Sequence, residues 1–298
     1  MLFTLAFDHR NSLRTQFFGI TGEPTPADHA RCREAKEVIY AGLLAALVGG
    51  LPEGRPAILV DDEYGTEIAI RAREAGLVVA LPLEKSGRRE LGFEHDPFHS
   101  ALERLGADYA KILVRYNPRG DAAMNRRQRE RILQVQRWLL EHKPELMLEL
   151  LVPAEDAQLR SVGMDPGRYD TELRAGLTVE AVRELTAGGV APKLWKLEGM
   201  GSREEYAAVA EAVLAAGSTN AGCLVLGRGA DPTAVNRWLR LAAPVRGFVG
   251  FAVGRTIWWE PLQAYFQGQL GTAAAAAAIA TNYRRCIDVY LAAREQAS

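Results

Sequence analysis

Short apolar runs alternate with longer segments of mixed polarity along the whole chain. Each run is nearly continuous in apolar residues, which is typical of strands in a parallel sheet whose two faces are both covered. The runs predict eight strands, at residues 2–7, 57–61, 77–81, 109–114, 146–151, 192–197, 221–226 and 247–251. The amphipathic segments between them predict helices that include residues 30–48, 63–75, 124–142, 179–187, 203–216 and 232–241.

This alternation indicates βαβ units, and eight such units are typical of a closed (β/α)8 barrel, the TIM-barrel class of α/β folds. An open doubly wound sheet is the alternative, and it is disfavoured because no G-x-G-x-x-G turn follows the first strand. No linker or change of composition divides the chain, so we expect residues 1–298 to form a single domain. Residues 153–177 are polar and aperiodic, and they predict an extended loop over the barrel mouth. Residues 258–297 predict a closing helix or helix pair.

The composition is that of an ordinary globular protein, with 48% hydrophobic and 24% charged residues among 298. The 36 basic and 37 acidic side chains leave a formal net charge of −1. That balance argues against electrostatic binding of nucleic acid or of anionic lipid, which needs clustered, uncompensated cations. The basic run at residues 126–131 carries its own acid, and we interpret it as a solvated helix face.

The cysteines and the N-terminal sequence bear on the cellular compartment. Cys32, Cys223 and Cys286 are far apart and odd in number, so they predict no disulfide framework and favour a reducing compartment. The first seven residues lack the basic start of a signal peptide, and no run reaches the roughly 18 apolar residues of a membrane span. We therefore expect a cytoplasmic protein with no membrane contact. Its oligomeric state stays open, a homo-oligomer included.

Charged residues follow or interrupt nearly every predicted strand, and in a barrel the carboxyl ends of the strands hold the chemistry. They are Asp8, His9 and Arg10 after the first strand, Asp61, Asp62 and Glu63 around the end of the second, Glu84 and Lys85 after the third, Lys111 in the fourth, Glu149 in the fifth, Lys196 in the sixth, Arg228 after the seventh and Arg255 after the eighth.

Lys196 is the most informative of these residues. Side chains alternate along a strand, so only one of Lys193 and Lys196 faces the barrel interior, and Lys196 lies nearer the strand's end. A lysine enclosed by apolar walls beside a second cation, for which Lys111 is the candidate, keeps a neutral fraction that can attack a carbonyl and form a Schiff base. The alternative is a rim lysine that is paired with Glu149 or Glu198.

Two carboxylates complete this candidate catalytic set. Glu149 interrupts an otherwise apolar strand, so its ionised form needs a partner or its pKa must rise. Glu149 is either a general acid/base beside the Schiff base or the partner of Lys111 or Lys196 in a structural ion pair. Asp8 follows small residues of the first strand that leave space at the barrel axis, and its alternative role is that of a strand-end turn residue.

Two glycine-arginine loops follow the last two predicted strands. Gly227 and Arg228 come after the seventh strand, and Gly254 and Arg255 come after the eighth. Barrels often hold a phosphate at these positions, because glycine lets backbone N–H groups approach the oxygens and arginine binds them bidentately. The two loops together predict a phosphate site. Turn glycines with exposed arginines are the alternative.

Metal chemistry is not indicated by the histidines. His95 and His99 are four residues apart, but Pro97 between them favours a loop or a helix start over a metal site. Neither a G-x-S-x-G elbow nor a P-loop is present, so a serine hydrolase of that type or a Walker ATPase is not predicted. We expect neither a metal nor an organic cofactor.

These pieces together resemble a group of class I aldolases, the 2-deoxy-5-keto-gluconate 6-phosphate aldolase type, which is fused behind a sugar kinase in some inositol-catabolism proteins. The chain is more distantly similar to tagatose-bisphosphate and sulfofructose-phosphate aldolases. The matching pieces span nearly the whole chain, and they are Phe7-Asp-His-Arg10, Leu59-Val-Asp-Asp-Glu-Tyr-Gly65, Lys111-Ile-Leu-Val-Arg-Tyr-Asn-Pro118, Glu149-Leu-Leu-Val-Pro153, Leu194-Trp-Lys-Leu-Glu198 and Val249-Gly-Phe-Ala-Val-Gly-Arg-Thr-Ile-Trp258.

The resemblance implies a metal-independent lyase of carbohydrate metabolism with a defined catalytic set. Lys196 corresponds to the Schiff-base lysine and Glu149 to the acid/base, with Lys111 and Asp8 beside them. Arg228 and Arg255, with their glycines, correspond to the phosphate site.

The substrate that the resemblance implies is 6-phospho-5-dehydro-2-deoxy-D-gluconate, which is cleaved to dihydroxyacetone phosphate and malonate semialdehyde. We expect Arg10 and Arg115 to meet the carboxylate at the substrate's other end. All eight strands are used by one barrel, so we expect no kinase half and expect another protein to supply the phosphorylated substrate.

Three alternative functions are also compatible with the sequence. One is an aldolase for another ketose phosphate, tagatose 1,6-bisphosphate or sulfofructose 1-phosphate. A second is isomerase or epimerase chemistry on the same scaffold, and a third is a barrel that binds a sugar phosphate without catalysis.

Overall fold

The computed structural model describes residues 1–215 and 220–296. Within them, eight parallel strands close into a barrel in sequence order, and β8 pairs with β1. The strands are β1 Leu2–Ala6, β2 Arg55–Leu59, β3 Val78–Pro82, β4 Tyr109–Arg115, β5 Glu145–Leu151, β6 Leu194–Leu197, β7 Gly222–Leu226 and β8 Phe248–Val253. Each observed strand overlaps a predicted one. The (β/α)8 barrel is thereby confirmed, and the open sheet is excluded.

Eleven α-helices are present in the described ranges. They are α1 Pro26–Leu47, α2 Asp62–Glu74, α3 Ser100–Leu105, α4 Ala122–Leu139, α5 Asp156–Ser161, α6 Pro166–Glu172, α7 Arg174–Ala187, α8 Arg203–Ala215, α9 Pro232–Ala242, α10 Arg255–Phe266 and α11 Thr272–Glu295. The predicted helices at 203–216 and 258–297 correspond to α8 and to the pair α10 and α11. Ala216 and Ala297 lie outside the described residues.

Several helices begin at a side chain that caps them, which explains why they start directly after a strand or loop. Asp61 accepts a hydrogen bond from the Tyr64 N–H at the start of α2, and Asp121 does the same for Met124 at the start of α4. Thr25 and Asp28 form a reciprocal capping box at the start of α1. Such caps satisfy N–H groups that have no partner within the helix.

The strands separate two apolar layers. Outward-facing residues such as Phe3, Leu5 and Trp195 pack against the surrounding helices in the large outer core. A smaller inner cluster fills the barrel axis and contains Leu2, Ala6, Ala57, Leu59, Val78, Ala80, Met147, Leu194, Leu224 and Ala252. Two alanines of the inner cluster, Ala6 and Ala252, lie at or near the carboxyl ends of β1 and β8 and leave room there for long charged side chains.

The prediction of a long loop at residues 153–177 is wrong. That segment contains α5, α6 and the first residues of α7. Helices of six or seven residues are too short to display an amphipathic period, and here they are fixed by caps: Glu155 with Gln158 at α5, and Asp165 at α6. Two further elements are absent from the sequence prediction, the helix α3 and a π-helical turn at Leu13–Phe17.

The three cysteines are all buried and free. Burial raises the pKa of the thiol to about 11 for Cys32 and to about 12 for Cys223 and Cys286. None is therefore a thiolate nucleophile. In residues 1–215 and 220–296, no helix is both long enough and apolar enough to cross a lipid bilayer.

Candidate active site

A cavity of about 410 Å³ opens at the carboxyl ends of the strands. All ten residues that the sequence predicts for the site line it: Asp8, Arg10, Lys111, Arg115, Glu149, Lys196, Gly227, Arg228, Gly254 and Arg255. Its size suits a small sugar derivative. The barrel therefore brings the predicted residues to one mouth, although their contacts differ from one another.

Lys111 lies at the centre of a cluster of carboxylates. Its ammonium is 2.9 Å from Asp8, 2.6 Å from Glu84 and 2.9 Å from Glu149, and the residue is 2% exposed. Burial alone would lower the pKa of this lysine, but the three carboxylates raise it well above the ordinary value. Lys111 is therefore a fixed cation.

Lys196 reaches the same cluster from β6. Its Nζ atom is 2.9 Å from Glu149, the residue that lies directly beside it in the paired strands β5 and β6. Lys193 directly precedes β6, is partly exposed and is 3.8 Å from Glu145. The prediction that Lys196 rather than Lys193 faces the interior agrees with this arrangement. The contact with Glu149 is compatible with both roles of Lys196, a nucleophile beside its base and a member of a structural ion pair.

Asp8 and Glu149 are ionised in this cluster. Burial raises the pKa of each carboxyl, but Lys111 and Lys196 outweigh it, so both pKa values are lower than usual. With Glu84, the three carboxylates face two ammonium groups. Glu149 is therefore an ionised carboxylate in direct contact with Lys196.

Glu84 belongs to the site but was not among its predicted residues. It follows β3, is buried, and uses one oxygen for Lys111 while the other accepts the Leu113 N–H at 3.2 Å. The available signal was its position directly after a buried strand, as for Asp8. No spacing rule connects it to Lys111, which lies 27 residues away.

His9 is a second residue without a predicted role. Its ring stands edge-on to Trp258, with 5.4 Å between ring centroids, and its Nδ1 atom is 3.9 Å from Asp8. Burial lowers the pKa of His9 to about 3, although Asp8 opposes the shift. The site therefore contains a neutral imidazole beside an ionised carboxylate.

Arg255 and its glycines form one side of the cavity. Its guanidinium donates to the Arg228 carbonyl at 3.2 Å and contacts Gln16 at 3.4 Å, while its Nε atom is buried and has no partner among the described residues. A Cβ at Gly229 would lie 2.7 Å from Arg255 Cζ, and a Cβ at Gly254 would clash with the Ala6 carbonyl. At Gly229 the backbone therefore comes closer to this guanidinium than a larger residue permits, whereas Gly254 packs directly against the end of β1.

Arg228 is engaged differently from Arg255. It is 2.7 Å from Asp170 and 3.3 Å from Glu198, in an ion-pair network with Arg174. Its backbone has a φ of 52°, in the left-handed region. Two carboxylates thus already compensate the guanidinium that the sequence assigned to phosphate.

The two arginines expected at the far end of the substrate also differ. Arg10 is 2% exposed, ion-paired with Glu94 at 2.9 Å, and donates to the Glu84 carbonyl at 2.6 Å. Its terminal nitrogens are therefore occupied by protein. Arg115 is half-buried and donates to the Arg88 carbonyl at 2.7 Å.

A cationic loop after β3 adds to Arg115. Lys85, Arg88 and Arg89 line the cavity, and in the described part of the chain their side chains make no hydrogen bond or ion pair. These three cations were not predicted as site residues. They lie on the loop whose Arg88 carbonyl accepts the Arg115 hydrogen bond. Arg255 belongs to a different element, since it is the first residue of α10.

The two histidines that the sequence offers as metal ligands each contact a different carboxylate. His95 is 2.9 Å from Asp62, and His99, directly before α3, is 3.0 Å from Glu103. Among the described residues, no group of three or more His, Cys, Asp or Glu side chains is arranged to hold a metal ion.

Comparisons with known proteins identify a family and a fold. The family model described as "Uncharacterized protein conserved in bacteria (DUF2090)" matches residues 1–294. No curated protein matches the chain.

Solved structures of aldolases share the fold at low sequence identity. One, a Schiff-base-forming fructose-1,6-bisphosphate aldolase, is 14% identical with a TM-score of 0.56, and the match covers 94% of this chain and 93% of that one. The fructose-bisphosphate aldolase of Plasmodium falciparum is 11% identical with a TM-score of 0.63, covering 96% and 90%. An archaeal fructose 1,6-bisphosphate aldolase is 14% identical with a TM-score of 0.54, covering 95% and 93%.

Proposed function

The chain belongs to the DUF2090 family, and from that premise and the geometry of its barrel mouth we propose that it is a class I aldolase that cleaves a phosphorylated keto-sugar through a Schiff base. One observation carries the proposal. A buried lysine, Lys196, touches an ionised carboxylate, Glu149, whose other neighbour, Lys111, is a fixed cation. The fold shared with Schiff-base-forming fructose-1,6-bisphosphate aldolase is consistent with it.

The nucleophile in the proposed reaction is Lys196. Attack on the substrate ketone requires the neutral amine, and Glu149 at 2.9 Å is the base that takes the ammonium proton. Lys111 keeps its proton, because three carboxylates hold it, and its charge stabilises Glu149 in the anionic form. Glu149 returns that proton to the hydroxyl of the carbinolamine, which leaves as water and gives an iminium ion on Lys196, and Glu149 is again a carboxylate.

The iminium ion accepts the electron pair of the breaking carbon–carbon bond. A carboxylate, Glu149, removes the proton from the hydroxyl on the departing carbon, directly or through water, and that carbon leaves as an aldehyde. The enamine that remains on Lys196 is protonated at carbon, and hydrolysis of the new iminium releases dihydroxyacetone phosphate. No step requires a metal ion or an organic cofactor.

The phosphate of the substrate is assigned to the side of the cavity formed by Arg255 and its glycines. The buried Nε atom of Arg255 lacks a partner among the described residues, and Gly229 lets the backbone lie close to the guanidinium that would hold the phosphate. The start of α10 adds the favourable field of a helix N-terminus. Binding there orients the ketone against Lys196, so binding energy remote from the reacting carbon assists the reaction.

The specific substrate that we propose is 6-phospho-5-dehydro-2-deoxy-D-gluconate, which yields dihydroxyacetone phosphate and malonate semialdehyde, a reaction of inositol catabolism. Its carboxylate needs a cation away from Arg255. Arg115, together with Lys85, Arg88 and Arg89, is available for that group, whereas Arg10 is occupied by Glu94 and Glu84.

A ketose bisphosphate is the second candidate, because the cations of the same loop would also compensate the charge of a second phosphate. The structural neighbours are fructose-bisphosphate aldolases, and their fold is the one found here. Tagatose 1,6-bisphosphate and sulfofructose 1-phosphate belong to the same comparison, since each also carries an anion at both ends.

The experiment is a side-by-side measurement of kcat/KM for release of dihydroxyacetone phosphate, with EDTA present. The substrates are the keto-acid phosphate, fructose 1,6-bisphosphate, tagatose 1,6-bisphosphate and sulfofructose 1-phosphate, and Lys196→Met is the inactive control. We expect the keto acid to exceed the others by about tenfold or more; because all four substrates carry an anion at both ends, that margin depends on how well the site fits the size and shape of the far group and not on its charge alone. If another substrate leads by that margin, the aldolase class stands and the substrate assignment fails. Binding of all four without cleavage would indicate a sugar-phosphate-binding barrel instead.

A further inference from the structure

Lys36 is a lysine buried outside the barrel, on α1. It is 1% exposed, and its ammonium donates to the carbonyl oxygens of Phe7 at 2.5 Å and of His9 at 3.2 Å. It also forms an ion pair with the buried carboxylate of Asp61. These three acceptors use the three hydrogens of the ammonium.

Packing does not require a charge at this position. The neighbouring buried residues of α1 are apolar, among them Cys32, Ile39 and Leu43. A buried ion pair is often no more stable than apolar side chains of the same volume, because both charges lose their hydration. The role of Lys36 is therefore to be found in what it contacts.

The contacts of Lys36 surround one residue of the candidate active site. The Phe7 amide makes a sheet hydrogen bond to the Leu59 carbonyl at 2.8 Å just past the end of β1. Beyond it, Lys36 holds the carbonyls on both sides of Asp8. The Asp8 carboxylate is the one that reaches Lys111 from β1, at 2.9 Å.

Asp61 connects this lysine to the next strand. It follows β2, is fully buried, and its second oxygen accepts the Tyr64 N–H at 2.9 Å at the start of α2. Through Lys36 and Asp61, the end of β1 is thus fixed to α1, to the end of β2 and to the first turn of α2. A movement of the Asp8 backbone would break these contacts.

We infer that Lys36 and Asp61 are a positioning pair, which fixes the peptide groups around Asp8 and thereby holds the Asp8 carboxylate against Lys111. The pair lines no part of the cavity and acts through Asp8 alone. Its effect on catalysis rests on the proposed function, whereas its hold on the backbone does not.

The test uses a double variant, Lys36→Met/Asp61→Asn. The single change Lys36→Met would leave Asp61 charged and buried, and such a protein is prone to unfold. The double variant removes both charges, keeps the volumes, and retains an oxygen at position 61 to cap α2. Tyr283→Phe is the matched control, because the Tyr283 hydroxyl donates to the Phe3 carbonyl at 2.7 Å, on the same strand but farther from Asp8.

Two measurements are compared on folded protein. Hydrogen exchange of the Phe7 amide is expected to become at least tenfold faster in the double variant and to stay at the wild-type rate in Tyr283→Phe. For aldol cleavage, kcat is expected to fall at least tenfold, with KM changed less than threefold because Arg255 and its glycines are not touched. Neither change is expected in the control.

Three outcomes overturn the inference: wild-type exchange at Phe7 in the double variant, an unchanged kcat, or equal losses in Tyr283→Phe. If wild-type protein cleaves none of the sugar phosphates, the proposed function fails on its own, and the exchange measurement still decides whether the pair fixes the Asp8 backbone.

Discussion

Lys111 and Lys196 share one oxygen atom, since Oε2 of Glu149 lies 2.9 Å from the Nζ atom of each lysine. Lys111 has two further carboxylates, Asp8 and Glu84, and they hold it in the charged form. Lys196 has the shared carboxylate as its partner. The two lysines are therefore unequal, since Lys111 is held by three carboxylates and Lys196 contacts one, and it is Lys196 that we propose as the nucleophile.

The first prediction concerns Glu149 as the base. Glu149→Gln should lower kcat for cleavage by about 10²–10⁴-fold, the usual contribution of a positioned acid/base. KM should change little, because the phosphate contacts remain. Glu84→Gln is the matched control: it removes a carboxylate from Lys111 but not from Lys196, and it should cost about tenfold or less. Equal losses in the two variants would mean that Glu149 acts only by compensating charge.

A second prediction follows from the buried histidine. Burial lowers the pKa of His9 to about 3, although the negative charge of Asp8 acts in the opposite direction. The pKa of a histidine in the unfolded chain is near 6.5. Between these values the unfolded chain binds more protons, so the free energy of unfolding decreases as the pH falls below about 6.5. From pH 7 to pH 5 the decrease from this group is ~2 kcal/mol.

Urea unfolding at pH 5, 6 and 7 measures this effect, with His9→Gln as the comparison. The variant should lose less stability than the wild type over that range. The lowered pKa values of Asp8 and Glu149 have the same sign, but their contribution is lost only below the ordinary carboxyl range near pH 4. Parallel curves for the two proteins would show that His9 is protonated normally in the folded state.

The third prediction compares the contributions of Arg255 and Arg228 to phosphate binding. Arg255→Ala should weaken phosphorylated substrates and inorganic phosphate by ~2–3 kcal/mol, the value of a lost charge-assisted contact. Arg228→Ala should weaken them less, because Asp170 and Glu198 already hold that side chain. Unphosphorylated keto-sugars should respond to neither change. Competition binding with phosphate checks this, and a larger loss for Arg228→Ala would reverse the assignment.

The fourth prediction concerns the loop after β3. Arg89→Ala should lower kcat/KM for a substrate with an anion at its far end by about tenfold, as expected for one lost ionic contact, and should leave a neutral analogue unaffected. Arg119→Ala is the control, since Arg119 is exposed and paired with Glu180 outside the cavity. If both substrates lose activity together, Arg89 supports the loop rather than the substrate.

The barrel is predictable from sequence because its strands are buried on both faces and are apolar throughout. For the same reason Lys111, Glu149 and Lys196 stand out as charges within apolar strands, and alternation assigns Lys196 rather than Lys193 to the interior. The carboxyl ends of parallel strands then meet at one mouth, so the site residues could be named without knowing any distance.

The pairing of those charges is not predictable in the same way. Glu84 contacts Lys111 from the loop after β3, whose path depends on tertiary contacts. Arg10 forms an ion pair with Glu94, which lies later in the same loop. Arg228 is held by Asp170, which lies on α6, in the segment for which the sequence predicts a loop. Such partners are chosen by packing between distant segments, which periodicity does not encode.

Covalent trapping tests the proposed Schiff base on Lys196 most directly. Protein is incubated with dihydroxyacetone phosphate and sodium borohydride, digested, and analysed by mass spectrometry, with and without EDTA. If Lys196 forms the Schiff base, we expect a reduced adduct on the peptide that contains Lys196, no adduct in Lys196→Met, retention of the Lys196 adduct at a lower rate in Lys111→Met, and no effect of EDTA. An adduct on Lys111 or Lys193, or no adduct on the wild-type protein, would show that Lys196 is not the nucleophile.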